Sequence, residues 1–192
     1  MRRTRTIFVL AFALVFVFAA AASADFAYKA KIKDHAGGDV TPAQALQMVI
    51  KDKDHTFIVD VRTRPEYALI GHPAMAYHVP LKLWTGKSSK KGYEMVINTN
   101  FGKDLKARFN PQTDTLIFMC RSGQRSCLAA EAAAKAGWPA DKLFNMMGGF
   151  EGGKVKCKFS AFHGQRKLGG WRNEGLPWTY KVDKKRAYLG AN

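Results

Sequence analysis

Short apolar segments separated by helical patterns constrain the fold more than any other feature of this sequence. The strand-like segments, rich in Val, Ile, Leu and Phe, cover residues 57–61, 115–119 and 143–146. Their composition suits strands that are buried on both faces. Helical patterns cover residues 42–51, 65–70, 101–109 and 126–136. This alternation predicts one α/β domain, in which helices cover both faces of a parallel sheet.

The boundaries of this domain follow from local signals. Thr41 and Pro42 are typical of a helix start, so the domain is predicted over residues 41–181, after a lead-in of residues 25–40. A further short strand is expected at residues 76–79, and the Lys-, Ser- and Gly-rich residues 84–93 are expected to form a surface loop. Residues 182–192 are expected to form a basic C-terminal tail.

Residues 1–24 have the features of a secretory signal peptide. A basic start is followed by an apolar run that ends in Ala22-Ser23-Ala24, a small-residue pattern that signal peptidases cut. We therefore expect cleavage after Ala24 and a periplasmic or secreted protein. The alternative is an uncleaved membrane anchor, for which the run is somewhat short.

Cys120 is the candidate nucleophile, because it directly follows the apolar segment of residues 115–119. Ligands bind at the carboxyl ends of strands in parallel sheets. Backbone N–H groups in a strand-to-helix turn can form an anion-binding nest, and the helix N-terminus adds partial positive charge. A thiol in this position is expected to exist largely as the nucleophilic thiolate. The nest is assigned to the following residues of the loop: Arg121, Ser122, Gly123, Gln124, Arg125 and Ser126.

The loop Cys-Arg-Ser-Gly-x-Arg-Ser resembles the active loop of the rhodanese family. The segments Asp60-Val61-Arg62-x-x-x-Glu66-Tyr67, residues 71–80 and Gly148-Gly149-Phe150 resemble the other motifs of that family and occur in family order. The resemblance implies a small α/β domain with a central parallel five-stranded sheet. It also implies a sulfurtransferase that takes sulfane sulfur from an anionic donor such as thiosulfate. A persulfide on Cys120 would then pass the sulfur to cyanide or a thiol, without a metal or organic cofactor.

Two other activities remain open for the same loop. Phosphatases of related fold place an arginine six residues after the cysteine, where this chain has Ser126, so phosphatase and arsenate-reductase activities are disfavoured. A persulfide carrier would load sulfur on Cys120 and release it only to a specific redox or sulfur-oxidation protein.

Three side chains near these motifs have competing interpretations. Asp60 could act in catalysis, although a scaffolding role is favoured, in which its carboxylate caps loop N–H groups and pairs with Arg62. His72 could act as a base, although a local hydrogen-bonding role is favoured. Trp84 could line the rim of the pocket, although ordinary packing is favoured.

A basic insert, residues 151–168, departs from a minimal rhodanese and is followed by Gly-Trp and Gly-Leu-Pro-Trp sequences, as in a longer branch of the family. We expect it to lie near the Cys120 rim. Cys157 within it could pair with Cys120 or with Cys127, or remain a free thiol.

The net charge of +16 limits the expected partners. Residues 1–24 contain three arginines and no acidic residue, so +13 remains on residues 25–192. Such a surface attracts small oxyanions, acidic proteins and anionic membrane surfaces, whereas an exported protein rarely meets nucleic acid. The alternative is that the lysines only maintain solubility.

Overall fold

A computed structural model describes residues 34–90 and 92–190 of the chain. The strands in chain order are β1 (Gly38–Val40), β2 (Thr56–Asp60), β3 (His72–Pro73), β4 (Tyr77–His78), β5 (Lys82–Ser89), β6 (Gly92–Ile97), β7 (Thr115–Met119), β8 (Leu143–Met146), β9 (Gly153–Lys154), β10 (Arg166–Leu168) and β11 (Trp178–Thr179). The helices are α1 (Pro42–Lys51), α2 (Phe101–Lys106), α3 (Gln124–Lys135), a π-helix (Glu66–Ile70) and a 3-10 helix (Ala140–Lys142).

The centre of the fold is a five-stranded sheet with the strand order β1-β8-β7-β2-β4, and every neighbouring pair is parallel. β2 and β7 are paired along their whole length, from Thr56 opposite Thr115 to Asp60 opposite Met119. The two central strands therefore end level with each other at the carboxyl edge. The predicted parallel five-stranded sheet is confirmed.

Helices cover both faces of this sheet. Successive residues of the buried strands point to opposite faces, so Ile117 packs on the side of α1 and Phe118 on the side of α2 and α3. α1 contributes Ala45 to one core cluster, and α3 contributes Ala130 to the other. The two-sided burial explains why these strands read as nearly continuous apolar segments, and it confirms the predicted three-layer α/β architecture.

The start of α1 follows the predicted signal. The Thr41 side chain accepts a hydrogen bond from the Gln44 N–H, and the Gln44 side chain accepts one from the Thr41 N–H. This reciprocal capping box supplies partners for N–H groups that have none within the helix. α2 ends at Lys106, before the predicted residue 109, and the chain continues in turns in which the Arg108 and Phe109 N–H groups both donate to the Leu105 carbonyl.

The prediction of a surface loop across residues 84–93 is wrong, because β5 and β6 form an antiparallel hairpin there. Trp84 lies opposite Met95, and the rings of Trp84 and Tyr93 meet edge to face with centroids 4.8 Å apart. Most of the hairpin is exposed on both faces, so the strands lack the buried apolar pattern that marks a core strand. Backbone pairing and cross-strand contacts stabilise the hairpin instead.

The domain predicted over residues 41–181 is extended at both ends. β1 lies in the predicted lead-in and is the edge strand of the sheet, with Gly38 opposite Phe144. In the predicted basic tail, Ala187 and Tyr188 are buried. β1 is held by backbone pairing, and the C-terminal segment buries Tyr188 as its one large side chain. Neither segment therefore shows the apolar periodicity that would mark it in the sequence.

The remaining segments lie outside the central sheet. The insert is largely exposed and contains the short antiparallel pair of β9 and β10. The predicted signal peptide, residues 1–24, lies outside the described residues. Across residues 34–90 and 92–190, no helix combines the length and apolarity needed to cross a membrane.

Candidate active site

Cys120 lies at the carboxyl edge of the sheet, between the end of β7 and the start of α3. Gly123 has a φ angle of 102°, a left-handed conformation that a side chain would strain. This residue lets the chain turn sharply from the strand into the helix. As a result α3 begins at Gln124, earlier than the predicted start at Ser126.

The Cys120 sulfur lies against two groups of its own loop. The Gly123 N–H donates to Sγ at 3.2 Å, and Ser126 Oγ lies 3.5 Å from Sγ. Cys120 is only 1% exposed. The Gly123 N–H and the amino end of α3 both direct partial positive charge toward the sulfur. The arrangement fits a nucleophilic cysteine that substrates reach from one side.

A glycine turn supports the loop from behind. The Phe150 N–H donates to the Cys120 carbonyl at 2.8 Å, and the Glu151 N–H donates to the Arg121 carbonyl at 2.9 Å. A Cβ atom on Gly149 would lie 2.3 Å from the Cys120 carbonyl oxygen. The Gly148-Gly149-Phe150 motif therefore allows its backbone to lie directly against the backbone of the active loop.

Ser126 is buried beneath the loop, within a polar chain that leads to β1. Its Oγ lies 2.6 Å from Asn145 Oδ1 and 2.9 Å from the Gly123 carbonyl. Asn145 Nδ2 in turn donates to Asp39 at 2.6 Å. Ser126 and Gly123 thus shape the loop from below, whereas the exposed side of the loop faces a cavity.

Arg125 is held by Glu66, a partner that the sequence interpretation missed. Its guanidinium donates to both carboxylate oxygens, at 2.8 and 2.5 Å, and Glu66 also accepts from the Thr63 N–H and hydroxyl. Burial would raise the pKa of Glu66, but the hydrogen bonds and charge of Arg125 lower it to about 2. The family motif contained Glu66, yet nothing in the spacing connected it to a residue 59 positions later.

The electrostatic field of Arg125 also reaches Cys120. Burial lowers the pKa of Arg125, but Glu66 and, to a smaller extent, negative charge on Cys120 raise it above its ordinary value. Arg125 therefore remains charged beside the sulfur. Because Glu66 neutralises much of its charge, Arg125 acts as an oriented donor more than as a free cation.

Asp60 and Arg62 form a fully buried ion pair that supports the carboxyl edge. Arg62 donates to Asp60 through Nε and Nη2, and its Nη2 also donates to the Gly71 carbonyl at 2.6 Å. Both side chains have no exposed surface. The predicted pairing of Asp60 with Arg62 is confirmed. His72 has the predicted local role, since its Nδ1 lies 2.9 Å from the Tyr67 carbonyl and its ring stacks on Tyr67.

A cavity of about 520 Å³ lies over Cys120, between the active loop and the β5–β6 hairpin. Five of the seven predicted site residues line it, namely Cys120, Arg121, Ser122, Gln124 and Arg125. The other lining residues are Thr63, Pro65, Glu66, Lys82, Trp84, Tyr93 and Met95. Trp84 is thus a rim residue, contrary to the packing role that the sequence favoured. Tyr93 and Met95 were missed, because the exposed strand β6 lacks the apolar pattern that marks a buried strand.

No residue of the insert lines this cavity, and the hairpin forms that wall instead, so the insert approaches the active loop where Glu151 meets Arg121. No disulfide joins Cys120, Cys127 or Cys157, so neither of the two possible pairings of Cys157 is formed, and Cys157 is exposed on the insert. Among the described residues, no group of three or more His, Cys, Asp or Glu side chains is arranged to hold a metal ion.

Comparison with known proteins agrees with this geometry. A family model for the rhodanese-like domain matches residues 41–156. An uncharacterized protein of Rickettsia prowazekii is 30% identical over 143 residues, covering 74% of this chain and 97% of its own length. The crystal structure of Rv0390 from M. tuberculosis is 33% identical, covers 77% of this chain and all of its own, and has a TM-score of 0.59. Rhodanese-like domain-containing protein 17 of Arabidopsis thaliana is 36% identical over 114 residues, or 58% of this chain.

Fold and site together define an α/β domain with a cysteine loop at the carboxyl edge of a parallel sheet. The chain belongs to the rhodanese-like domain family. Membership of this family points to sulfur-transfer chemistry as the general class of activity.

Proposed function

We propose that the protein is a sulfurtransferase that carries sulfane sulfur on Cys120. The observation that carries this proposal is the position of Cys120, whose Sγ accepts a hydrogen bond from the Gly123 N–H and which lines a cavity together with basic side chains. An anionic sulfur donor fits a cavity that contains Arg121 and Lys82. Donors around Sγ suit a group that stays anionic before and after it accepts sulfur.

Loading begins when the Cys120 thiolate attacks the outer sulfur of a donor such as thiosulfate. A new bond forms between Sγ and that sulfur, the sulfur–sulfur bond of thiosulfate breaks, and sulfite leaves with the bonding electron pair. The resulting persulfide anion has the same charge as the thiolate, so the loop donors can serve both states. Arg121 and Arg125 are the groups that we assign to the sulfite oxygens.

In the unloading step Cys120 Sγ is the leaving group, whereas in the loading step it is the nucleophile. A thiophilic acceptor, cyanide or a thiolate, attacks the outer sulfur of the persulfide, and the Cys120 thiolate leaves. No external oxidant or reductant is needed, because sulfane sulfur moves between two nucleophiles. The thiolate of Cys120 is regenerated for a second cycle.

Turnover of thiosulfate and cyanide tests this function in the wild-type protein and in the Cys120→Ala and Cys157→Ala variants. We expect turnover to fall by at least about a thousand-fold in Cys120→Ala, because the nucleophile is lost. Cys157→Ala is a matched control, because it removes an exposed thiol outside the cavity. Equal activity of Cys120→Ala and wild type would overturn the proposal.

Mass spectrometry of the same proteins, set beside their turnover, identifies a dedicated persulfide carrier. Such a protein would gain about 32 Da, the mass of one sulfur atom, after treatment with thiosulfate, yet would show negligible turnover with small acceptors. Its sulfur would leave only to a specific protein partner.

We also propose that the protein acts outside the cytoplasm. The proposal is supported by the basic start, apolar run and small-residue end of residues 1–24. Expression of the full chain in a bacterial host tests it, because cleavage after Ala24 predicts a mature N-terminus at Asp25. Recovery of the uncleaved chain from the cytoplasm would contradict the proposal.

A further inference from the structure

The cavity above Cys120 is larger than a sulfur oxyanion or cyanide requires. Its volume of about 520 Å³ falls within the range of about 300–1,000 Å³ that is typical of sites for drug-sized ligands. A site built only for thiosulfate and cyanide would leave most of this space to water. The size of the cavity therefore suggests that one of the two substrates is a larger molecule.

The wall opposite Cys120 is apolar and belongs to the hairpin. Trp84, Tyr93 and Met95 line it and are 41%, 60% and 49% exposed. Trp84 pairs with Met95 across the strands, and Tyr93 lies two residues before Met95, so one face of the hairpin carries all three side chains. Exposed aromatic and thioether side chains on a concave surface are typical of a binding site for an apolar group.

A cation without an acidic partner lies on the same face. Lys82 is two residues before Trp84, and no ion pair within residues 34–90 and 92–190 involves it. The carboxylate that lines the cavity, Glu66, is already paired with Arg125. Lys82 is therefore available to a negatively charged group next to the apolar wall.

We propose that the acceptor is an organic thiol that carries an apolar body of aromatic size and a carboxylate. The apolar body packs against Trp84, Tyr93 and Met95, and the carboxylate contacts Lys82. This inference rests on the proposed sulfurtransferase function. The acceptor thiolate attacks the outer sulfur of the Cys120 persulfide, the bond to Sγ breaks, and an organic persulfide and the Cys120 thiolate result.

Acceptors with similar thiols test the two parts of this site. Values of kcat/KM are measured with cyanide, 2-mercaptoethanol, benzyl mercaptan and 4-(mercaptomethyl)benzoate, with thiosulfate as donor. The wild-type protein is expected to prefer benzyl mercaptan over 2-mercaptoethanol by about ten-fold or more, because of the apolar wall. The carboxylate is expected to add about five-fold, because of Lys82.

Substitutions on the hairpin show which side chains cause the preference for an aromatic thiol and which cause the preference for a carboxylate. Trp84→Ala and Met95→Gln should reduce the preference for the aromatic thiol to less than about three-fold. Met95→Gln keeps the length of the side chain and separates lost apolar contact from a disordered hairpin. Lys82→Gln should remove the carboxylate preference, measured as the ratio of kcat/KM for 4-(mercaptomethyl)benzoate to that for benzyl mercaptan, because any change in loading by thiosulfate affects both acceptors equally. Val96→Ala is the matched control, since Val96 is similarly exposed on β6 but does not line the cavity.

Two results separate this proposal from the function on which it rests. Turnover with cyanide but without preference among the thiols would overturn the acceptor proposal alone, as would an equal loss of preference in Val96→Ala. Absence of turnover with cyanide and with every thiol would overturn the sulfurtransferase function, and the acceptor proposal with it.

Discussion

Glu66 joins the active loop to the π-helix that precedes Gly71. Its carboxylate binds Arg125 through two hydrogen bonds, and its pKa of about 2 lies well below the ordinary value of 4.5. A lowered pKa in the folded state means that ionised Glu66 stabilises the fold above about pH 4.5. This stabilisation is lost as the pH falls from that value toward 2.

The Glu66→Gln variant tests this linkage. The free energy of unfolding of the wild-type protein should lose about 2 kcal/mol more than that of the variant between pH 7 and pH 3, because only the wild type must protonate the paired carboxylate. Urea unfolding at the two pH values measures the difference. Parallel loss of stability in both proteins would show that the ion pair does not contribute.

Gly149 is the position at which a single methyl group should disturb the active loop most directly. Gly149→Ala places Cβ against the Cys120 carbonyl and also strains a φ angle of 56°. We expect a loss of about 3 kcal/mol in unfolding free energy and a large fall in turnover, because the loop must move.

Gly164→Ala separates the clash from the backbone strain. Gly164 has a φ angle of 78°, but no heavy atom lies within 4 Å of a Cβ built there. Its loss of stability should stay near 1 kcal/mol, with turnover unchanged. Equal effects at the two glycines would contradict the close-approach explanation.

At the residue scale the sequence indicated a candidate nucleophile but not the partners of its neighbours. Cys120 could be proposed because a thiol that follows a buried strand and precedes a basic loop has few structural explanations. The pairing of Arg125 with Glu66 could not, because the contact depends on how the π-helix packs on the loop. The spacing of Glu66 and Arg125 along the chain carries no information on the distance between their side chains in the fold.

The elements of the fold differ in how strongly burial protects them. β7 is almost fully buried between two helical layers, whereas β6 is exposed along its whole length. Local opening is easiest where few apolar contacts cover backbone hydrogen bonds. The hairpin that carries the acceptor wall should therefore open far more often than the central sheet.

Hydrogen exchange monitored by mass spectrometry tests this difference. Amides of β6 should exchange at least about a hundred-fold faster than those of β7 under native conditions, because hairpin opening does not require global unfolding. Similar protection of the two strands would mean that the hairpin is part of the same cooperative unit as the sheet.

The same difference in burial explains which elements could be predicted. β2, β7 and β8 were recognised because strands that are buried on both faces need continuous apolar residues. The hairpin was mistaken for a loop because its strands need no buried face. The cavity wall was therefore missed, since it depends on a hairpin that local patterns do not indicate.

At the scale of the whole molecule, the segment after Lys181 packs onto the domain, although the sequence predicted only a basic tail there. The Tyr188 hydroxyl donates to Asp104 at 2.9 Å, and Arg108 donates to the Ala187 carbonyl at 2.5 Å. The His78 N–H donates to the Arg186 carbonyl at 2.8 Å. These contacts tie the C-terminal segment to α2 and to the edge strand β4.

Tyr188→Ala should therefore destabilise the entire domain. We expect a loss of about 3 kcal/mol in unfolding free energy, because a 9% exposed aromatic side chain and its hydrogen bond are removed. Leu189→Ala, at a neighbouring residue that is 71% exposed, should change stability by less than about 0.5 kcal/mol. Thermal or urea unfolding measures both. Equal stability of the two variants would place the segment outside the domain.

The central claim is that Cys120 carries the transferred sulfur. Its most direct test is a single incubation of the reduced protein with thiosulfate, followed by measurement of sulfite release and by peptide mapping of the added sulfur. We predict one sulfite released per protein chain and a gain of about 32 Da on the peptide that contains Cys120. Sulfur found on Cys127 or Cys157, or sulfite released equally by Cys120→Ala, would contradict the claim.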